Sequence, residues 1–373
     1  WEPVSHNVFR RVSHHHHEDF AWLYEQLCSN TALLLPPAGI QPEEIAFYDI
    51  ETTGLSGGAG TMCFLCGVGR IGRDGMEVEQ LFSADYDGEP AFLRAVQERL
   101  ADTALTVSYN GKSFDSHILR NRCILSRVVP AQPQELDLLY PTRRLFSHRV
   151  ERCGLTEVAE QLFGVTRALD IPGAAVPEAY FAYLQSDDVS LLRPIFSHHE
   201  QDIVALGRLL AAIEKEAGPG RSTDGGAAPS VAEVSRDGVG GLADAFQLAR
   251  LLIERGTRPE HTARGVGLLY ALLERQRAQQ SASLLQSSAY LARYLRRLSR
   301  YEEAVAVWQR LLETRQSVTA GIELSKLLEH RTGELQRAQL LLQQMLAWPH
   351  AGAHREEIRH RLNRIGGKIE RAK

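Results

Sequence analysis

The chain has 373 residues and a formal net charge of −4, and 44% of its residues are hydrophobic. This length predicts about two domains, and the hydrophobic content excludes a chain that is disordered throughout. No run of 18 apolar residues occurs, so we expect no membrane-spanning helix.

Five cysteines form an odd, sparse set that does not resemble a disulfide framework (Cys28, Cys63, Cys66, Cys123 and Cys153). This usage predicts a reducing compartment, and since no signal-peptide pattern is present we expect a cytoplasmic protein. Cys63 and Cys66 form a C-x-x-C, a spacing that can indicate metal or redox chemistry. They lie in an apolar, strand-like run, so we favour two small buried side chains.

Charge is distributed unevenly along the chain. Lys and Arg number 20 against 33 Asp and Glu in residues 1–240, and 22 against 13 in residues 241–373. The two parts therefore carry net charges of −13 and +9. This asymmetry predicts that one part holds metal ions and the other attracts a polyanion. The alternative is an Arg-rich helical surface that only confers solubility.

Residues 1–40 are interpreted as an N-terminal extension. Four consecutive histidines, His14 to His17, precede an apolar segment at residues 20–24. Such a run either binds metal or is tag-like, low-complexity sequence. We favour the second interpretation because no other cluster of metal ligands lies nearby.

Residues 41–216 have the pattern of an α/β domain. Three apolar or alternating runs separated by Gly-rich turns predict an antiparallel meander, at 45–50, 61–71 and 77–84. The next predicted elements are a helix at about 89–101, a strand at 105–109, a helix from about 113, a short strand near 136–138, and helices from 139 to 216. This order predicts a mixed sheet flanked by helices.

The remainder of the chain is predicted to be a linker and a helical domain. Residues 217–240 are rich in Gly, Ser, Ala and Pro, which predicts a flexible linker. Residues 241–373 have helical patterns throughout, and the segment 301–312 matches 335–346 at an offset of 34 residues. Paired helices at this offset are typical of tetratricopeptide repeats, so we expect an all-α helical-repeat domain.

Asp49 and Glu51 lie two residues apart at the end of an apolar run. In a strand, residues i and i+2 point to the same face, so the two carboxylates would stand side by side. Adjacent negative charges repel unless a cation joins them, and hard divalent cations prefer such oxygen ligands. The pair therefore predicts a metal site.

Three further polar residues have suggestive positions. Asp115 follows a strand and lies in the first turn of a helix, where it is either a functional anion or an ordinary capping residue. His198 and Asp202 are one turn apart on one helical face, where a surface contact is the alternative to a catalytic pair. A His beside a ligand carboxylate suits metal-assisted hydrolysis, since it can take a proton from water.

Together these motifs resemble the DEDD superfamily of 3′–5′ exonucleases, which have a ribonuclease-H-like fold with a five-stranded mixed sheet. The motifs are D-x-E at 49–51, N-x-x-x-F-D at 110–115 and H-x-x-x-D at 198–202. More narrowly, the chain resembles the YprB-type ribonuclease-H-like family. That resemblance extends over residues 135–146, Cys153-Gly154-Leu155 with Glu157, residues 170–173, and Pro177 with Tyr180.

The resemblance implies that two divalent ions, Mg²⁺ or Mn²⁺, are held by four carboxylates: Asp49, Glu51, Asp115 and Asp202. His198 would orient or deprotonate the attacking water. It lies four residues before the last Asp, where one branch of the superfamily has Tyr. The other branch has its His five residues before, where this chain has Ser197. Whether His198 or His199 is the base therefore stays open.

The resemblance also implies that the turn formed by Thr52, Thr53, Gly54 and Leu55 lies beside the terminal nucleotide. It further implies that Asn110 is a substrate contact or a supporting contact. Arg143 and Arg144, with Arg149 and Arg152, either grip phosphates or form a solvated helix face. Asp137 either adds a carboxylate near the site or caps the strand end, and we favour capping.

We therefore expect a two-metal 3′–5′ exonuclease that acts on single-stranded DNA or RNA, with a helical tail that recruits a protein partner or guides the strand. A non-catalytic adapter that binds nucleic acid or protein through its helical repeats is one alternative. A structure-specific endonuclease on the same fold is another. The sequence does not distinguish DNA from RNA, because that choice depends on contacts to the 2′-hydroxyl.

Overall fold

The structure is a computed structural model that describes residues 1–29, 32–35, 39–54, 60–147, 149–165, 171–217, 242–275, 282–315 and 317–372. These residues form two compact units, one within residues 1–217 together with 255–259, and one within residues 242–254 and 260–372. Apart from Ala217, the predicted linker at 217–240 lies outside the described residues. Among the helices described, none combines the length and apolar character that crossing a bilayer needs.

A mixed sheet forms the centre of the first unit. Its described strands are β1 (Glu2–Ser5), β2 (Val8–His15), β3 (Ile45–Thr52), β4 (Cys63–Gly72), β5 (Gly75–Ser83), β6 (Leu105–Ser108) and β7 (Gln134–Asp137). Their order across the sheet is β1-β2-β5-β4-β3-β6-β7. The pairs β3–β6 and β6–β7 are parallel, and the other pairs are antiparallel. Strands β3 to β7 are the five that the sequence predicts, so the mixed sheet is confirmed.

Two strands that the sequence did not indicate extend this sheet at one edge. Strand β2 pairs along its whole length with β5, from Val8 opposite Ser83 to His15 opposite Met76. His15 Nε2 lies 2.9 Å from Glu200 Oε1, and the backbone N–H of Asp19 donates to His17 Nδ1. The tag-like interpretation of the histidine run is therefore wrong. It failed because a polar strand lacks the apolar alternation by which strands are recognised.

Seven described helices surround the sheet: α1 (Glu18–Cys28), α2 (Glu89–Leu100), α3 (Asp115–Leu125), α4 (Leu139–Phe146), α5 (Leu155–Phe163), α6 (Val176–Ser186) and α7 (Arg193–Ala217). Helices α2 and α3 pack on one face, where Tyr48 and Ile50 join a buried core with Phe92 and Ile118. Helix α7 packs on β3, β4 and β5, and α1 packs on α7. Both faces of the central strands are thus covered by helices.

Two glycines of β4 allow α7 to approach the sheet closely. A Cβ atom built on Gly67 would lie 1.9 Å from Ile203 Cδ1 and 2.6 Å from His199 Cε1. One built on Gly69 would lie 2.6 Å from Ile203 Cγ2. Distances this short mean that a side chain at either position would force the side chains that face it to shift. The G-x-G of β4 therefore determines how near α7 comes to the strands.

Cys63 and Cys66 are free, fully buried thiols on β4, as predicted. They nevertheless pack into the same core cluster, although a regular strand sends residues i and i+3 to opposite faces. The cause is a register shift between Glu51 and Thr52. Cys66 pairs with Ile50 and Cys63 with Thr52, and residues 50 and 52 share a face.

The second unit is helical throughout its described residues. Its helices are α8 (Leu242–Arg255), α9 (Pro259–Arg275), α10 (Ala282–Arg297), α11 (Tyr301–Arg315), α12 (Val318–Leu327), a π-helical turn (Leu328–Thr332), α13 (Leu335–Leu346) and α14 (Arg355–Arg371). Two pairs that the 34-residue offset aligns are buried in both helices, Ala304 with Ala338 (both 0% exposed) and Trp308 (2%) with Leu342 (0%), whereas Leu312 and Leu346 are partly buried. The predicted helical C-terminal region is confirmed, and the assignment to tetratricopeptide repeats stays a prediction.

Candidate active site

Asp49 and Glu51 lie near the end of β3, opposite Gly67 and Leu65 of β4. Because the two positions are two residues apart in a strand, both carboxylates project from the same face. Gly67 contacts α7 on that face, whereas Ile50 belongs to the core of the opposite face. The alternation read from the sequence therefore directs both carboxylates toward α7.

Helix α7 brings a second group of polar side chains to the same place. His198 and Asp202 are one turn apart, with 3.1 Å between His198 Nε2 and Asp202 Oδ2. His199, the next residue, points at the sheet, and its Nε2 lies 3.9 Å from Asp49 Oδ2. Successive helix positions are about 100° apart, so neighbouring histidines face different surroundings.

Asp115 is the first residue of α3 and reaches the site through a tight turn. Asn110 has a left-handed backbone (φ 62°) and precedes a single turn of 3₁₀ helix at Gly111–Ser113. A Cβ atom on Gly111 would lie 2.5 Å from Ser108 Oγ and 2.9 Å from Asp115 Oδ2. The turn therefore folds the start of α3 back over the end of β6, which is the neighbour of β3 in the sheet.

The carboxylates influence one another electrostatically. Burial raises the pKa of Asp49 well above its usual value, and the negative charges of Asp115, Asp202 and Glu51 raise it further. Burial also raises the pKa of Glu51, and Asp202 and Asp115 add to the effect while His198 opposes it. Burial, followed by the charge of Asp137, raises the pKa of Asp115. Side chains up to 153 residues apart in sequence thus share one negative region.

The geometry and the donor chemistry of this region differ in how well they suit a metal ion. Within the described part of the chain, no three His, Cys, Asp or Glu side chains are gathered tightly enough to hold a metal ion as they stand. The chemistry of the donors nevertheless suits a hard cation, since all four are carboxylates. Burial is the main cause of the raised pKa values of Asp49, Glu51 and Asp115, and the neighbouring negative charges that raise them further are charges that a cation would offset. The residues therefore fit Mg²⁺ or Mn²⁺ by donor type and charge.

The two candidate bases have different environments. The His199 side chain is fully buried, and burial lowers its pKa to about 4. The His198 side chain is 13% exposed and lies beside the Asp202 carboxylate. A base must reach the water that it deprotonates, so these surroundings favour His198 over His199.

The predicted nucleotide-side turn is held by its own hydrogen bonds. Thr52 Oγ1 donates to the carbonyl of Gly54 at 2.8 Å. Thr53 Oγ1 accepts from the backbone N–H of Met62, and the Thr53 N–H donates back to the Met62 carbonyl. The turn is therefore fixed at the end of β3, close to Glu51. Leu55 lies outside the described residues.

The remaining predicted residues lie in the segments that end or follow β6 and β7. Arg143 on α4 is exposed and Arg144 is partly buried, whereas Arg149 pairs with Glu216 at 3.1 Å. Asp137 Oδ1 accepts from the backbone N–H groups of Asn110 at 2.8 Å and Leu139 at 3.0 Å. These contacts support the capping interpretation of Asp137, which holds the Asn110 turn in place.

Comparison with known proteins agrees with this architecture. Residues 46–214 match the RNase_H superfamily. Over 336 residues the chain is 28% identical to the uncharacterised protein YprB of Bacillus subtilis (strain 168), covering 88% of this chain and 75% of YprB. The family B DNA polymerase of Pyrobaculum calidifontis, a solved structure, is similar over 62% of this chain at 17% identity, with a TM-score of 0.36. The match spans only 29% of the polymerase, and a likeness at this level indicates nothing about activity.

Proposed function

We propose, from the premise that residues 46–214 form a domain of the RNase H superfamily, that this protein is a metal-dependent 3′–5′ exonuclease acting on single-stranded nucleic acid. The observation that supports this most is the shared negative region formed by Asp49, Glu51, Asp115 and Asp202, with His198 beside it. The polarity of cleavage rests on the resemblance of the D-x-E, N-x-x-x-F-D and H-x-x-x-D motifs to DEDD exonucleases.

The four carboxylates would hold Mg²⁺ or Mn²⁺: Asp49, Glu51, Asp115 and Asp202. When bound, such ions stabilise charge on the scissile phosphate and make a bound water more nucleophilic. Asp202 accepts from His198 Nε2 when that nitrogen carries the proton of a neutral ring, which leaves Nδ1 as the basic nitrogen. Asp202 thereby orients the ring that would take a proton from the attacking water.

Substrate binding is proposed for residues around this region. The turn at Thr52–Gly54, closed by its hydrogen bonds to Met62, would lie beside the terminal nucleotide. Arg143, which is exposed on α4, and Arg144 would contact phosphates, and Asn110 would contact the strand at the end of β6. The net charge of +9 in residues 241–373 supports a contact between the second unit and the polyanionic strand.

The test uses 5′-end-labelled single-stranded DNA and RNA incubated with Mg²⁺ or Mn²⁺. We expect the wild type to produce a ladder of products shortened from the 3′ end. The Asp49→Asn variant should produce no ladder, and the control Asp102→Asn, at an exposed position, should produce the wild-type ladder. Degradation of a circular single strand would instead indicate an endonuclease. An adapter predicts no cleavage at all, with equal strand binding by the wild type and Asp49→Asn.

A further inference from the structure

His199 lies in a space that the sheet leaves open for it. The side chain has no exposed surface and fits against the hydrogen atoms of Gly67, where a Cβ would lie 2.6 Å from its Cε1. Ile203, one turn further along α7, fills the neighbouring space beside Gly67 and Gly69. The ring is therefore held by packing on the strand pair that carries Asp49, since Asp49 is the partner of Gly67.

The hydrogen bonds of Gln80 determine where the proton of this ring lies. Gln80 Nε2 is 2.9 Å from the carbonyl oxygen of Phe196 and 3.0 Å from His199 Nδ1. A carbonyl only accepts, so the amide nitrogen and not the amide oxygen must face Phe196. The second amide hydrogen then points to Nδ1, which must be an acceptor.

With Nδ1 as an acceptor, the neutral ring carries its hydrogen on Nε2. That nitrogen lies 3.1 Å from the backbone carbonyl oxygen of Asp49, a normal length for an N–H···O bond. The distance to Asp49 Oδ2 is 3.9 Å, too long for a hydrogen bond. The ring thus binds the backbone of Asp49 and leaves its carboxylate available.

We propose that His199 is a positioning residue that acts through Asp49, and that Gln80 selects the ring tautomer that it needs. A chain of hydrogen bonds runs from the Phe196 carbonyl through Gln80 and His199 to the Asp49 carbonyl, and it ties α7 to the end of β3. Because α7 also carries Asp202 and His198, this chain sets the spacing between the two halves of the carboxylate site. The inference rests on the proposed function for its catalytic consequence only, because the tautomer and metal affinity are independent of turnover.

Two substitutions of His199 separate the hydrogen bond from the packing. In His199→Gln, the side-chain amide can place an N–H where Nε2–H lies, so most of the activity should remain. His199→Leu keeps the volume but has no donor, and we expect kcat to fall about 10²-fold because a small misplacement of a catalytic group can have that effect. The KM for the nucleic-acid substrate should change little, because His199 contacts none of the residues proposed to bind that substrate. Gln80→Leu should lower kcat in the same direction.

Thr106→Val is the matched control for loss of a buried hydrogen bond. Thr106 lies in the same sheet, is 3% exposed, and donates to the Gln134 carbonyl. The Thr106→Val variant should lose about as much stability as Gln80→Leu, but its kcat should stay near the wild-type value. Equal losses of kcat in Thr106→Val and His199→Leu would overturn the positioning role.

Two measurements do not depend on activity. The ¹⁵N shifts of His199 should show a protonated Nε2 and an unprotonated Nδ1 in the wild type, with this preference lost in Gln80→Leu. Calorimetric titration with Mn²⁺ should show about tenfold weaker binding by His199→Leu, and near wild-type binding by His199→Gln. A wild type that binds Mn²⁺ without cleaving any strand would refute the proposed function and leave this inference standing. A protonated Nδ1, or unchanged Mn²⁺ affinity in His199→Leu, would refute the inference alone.

Discussion

His198 Nε2 lies 3.1 Å from Asp202 Oδ2, one helical turn away on α7. The spacing of four residues puts both side chains on one face of the helix, which a spacing of five would do less well. His198 is thus oriented by Asp202, one of the four carboxylates of the candidate site.

His198→Gln tests the role of this ring. The substitution keeps a polar side chain of similar size but removes the proton acceptor, so kcat should fall by about 10²- to 10⁴-fold. Strand affinity and Mn²⁺ affinity should remain within about threefold of the wild type. Single-turnover kinetics with labelled DNA or RNA measures the effect, and an unchanged chemical rate would exclude His198 as the base.

Asp49→Asn tests the repulsion within the carboxylate region. The neutral amide replaces a buried carboxyl group whose ionised form is disfavoured by burial and by the charges of Asp115, Asp202 and Glu51, so in EDTA the variant should be at least as thermally stable as the wild type. Mn²⁺ should raise the Tm of the wild type, because ligands stabilise the state that binds them, and should raise that of Asp49→Asn far less. Thermal unfolding with and without Mn²⁺ provides the comparison. An equal Tm increase in both proteins would place the metal elsewhere.

Gly67→Ala tests the close approach of α7 to β4. A methyl group there would clash with Ile203 and His199, so the free energy of unfolding should be about 1–3 kcal/mol lower than in the wild type. Cleavage of the nucleic acid should also slow, because His199 is displaced. Gly72→Ala is the control on the same strand, since a Cβ there would meet no atom within 4 Å. Urea unfolding measures the stability of both variants. A similar loss of stability in Gly67→Ala and Gly72→Ala would contradict this packing.

Glu214 on α7 predicts a dependence of stability on pH. Its carboxylate accepts from the backbone N–H groups of Leu33 and Leu34, yet burial dominates and raises its pKa from 4.5 to about 7. The folded state therefore holds a proton that the unfolded state releases. Its stabilising contribution is full below about pH 4.5 and is lost as the pH rises through about 7.

Glu214→Gln should remove this dependence. The free energy of unfolding of the wild type, relative to Glu214→Gln, should decrease by up to about 3 kcal/mol between pH 4.5 and pH 8. Urea denaturation at a series of pH values measures this difference. A difference that stays constant or grows with pH would show that Glu214 is ionised throughout in the folded protein.

Local patterns in the sequence determined much of this protein. The alternation in β3 puts Asp49 and Glu51 on one face, the helical spacing pairs His198 with Asp202, and the 34-residue offset aligns buried positions in α11 and α13. Each depends on a few neighbouring residues and on the fixed periods of strands and helices. The five strands β3 to β7 were predictable for the same reason.

Only the tertiary structure decided the rest. Strands β1 and β2 are polar and become part of the sheet through pairing with β5, and the shift that puts Cys63 and Cys66 on one face arises between two strands. The burial of His199 depends on Gly67, 132 positions earlier, and on Gln80. Such contacts join segments far apart along the chain, so no local period encodes them. Packing between the sheet and α7 gives two adjacent histidines different environments, one fully buried and one partly exposed.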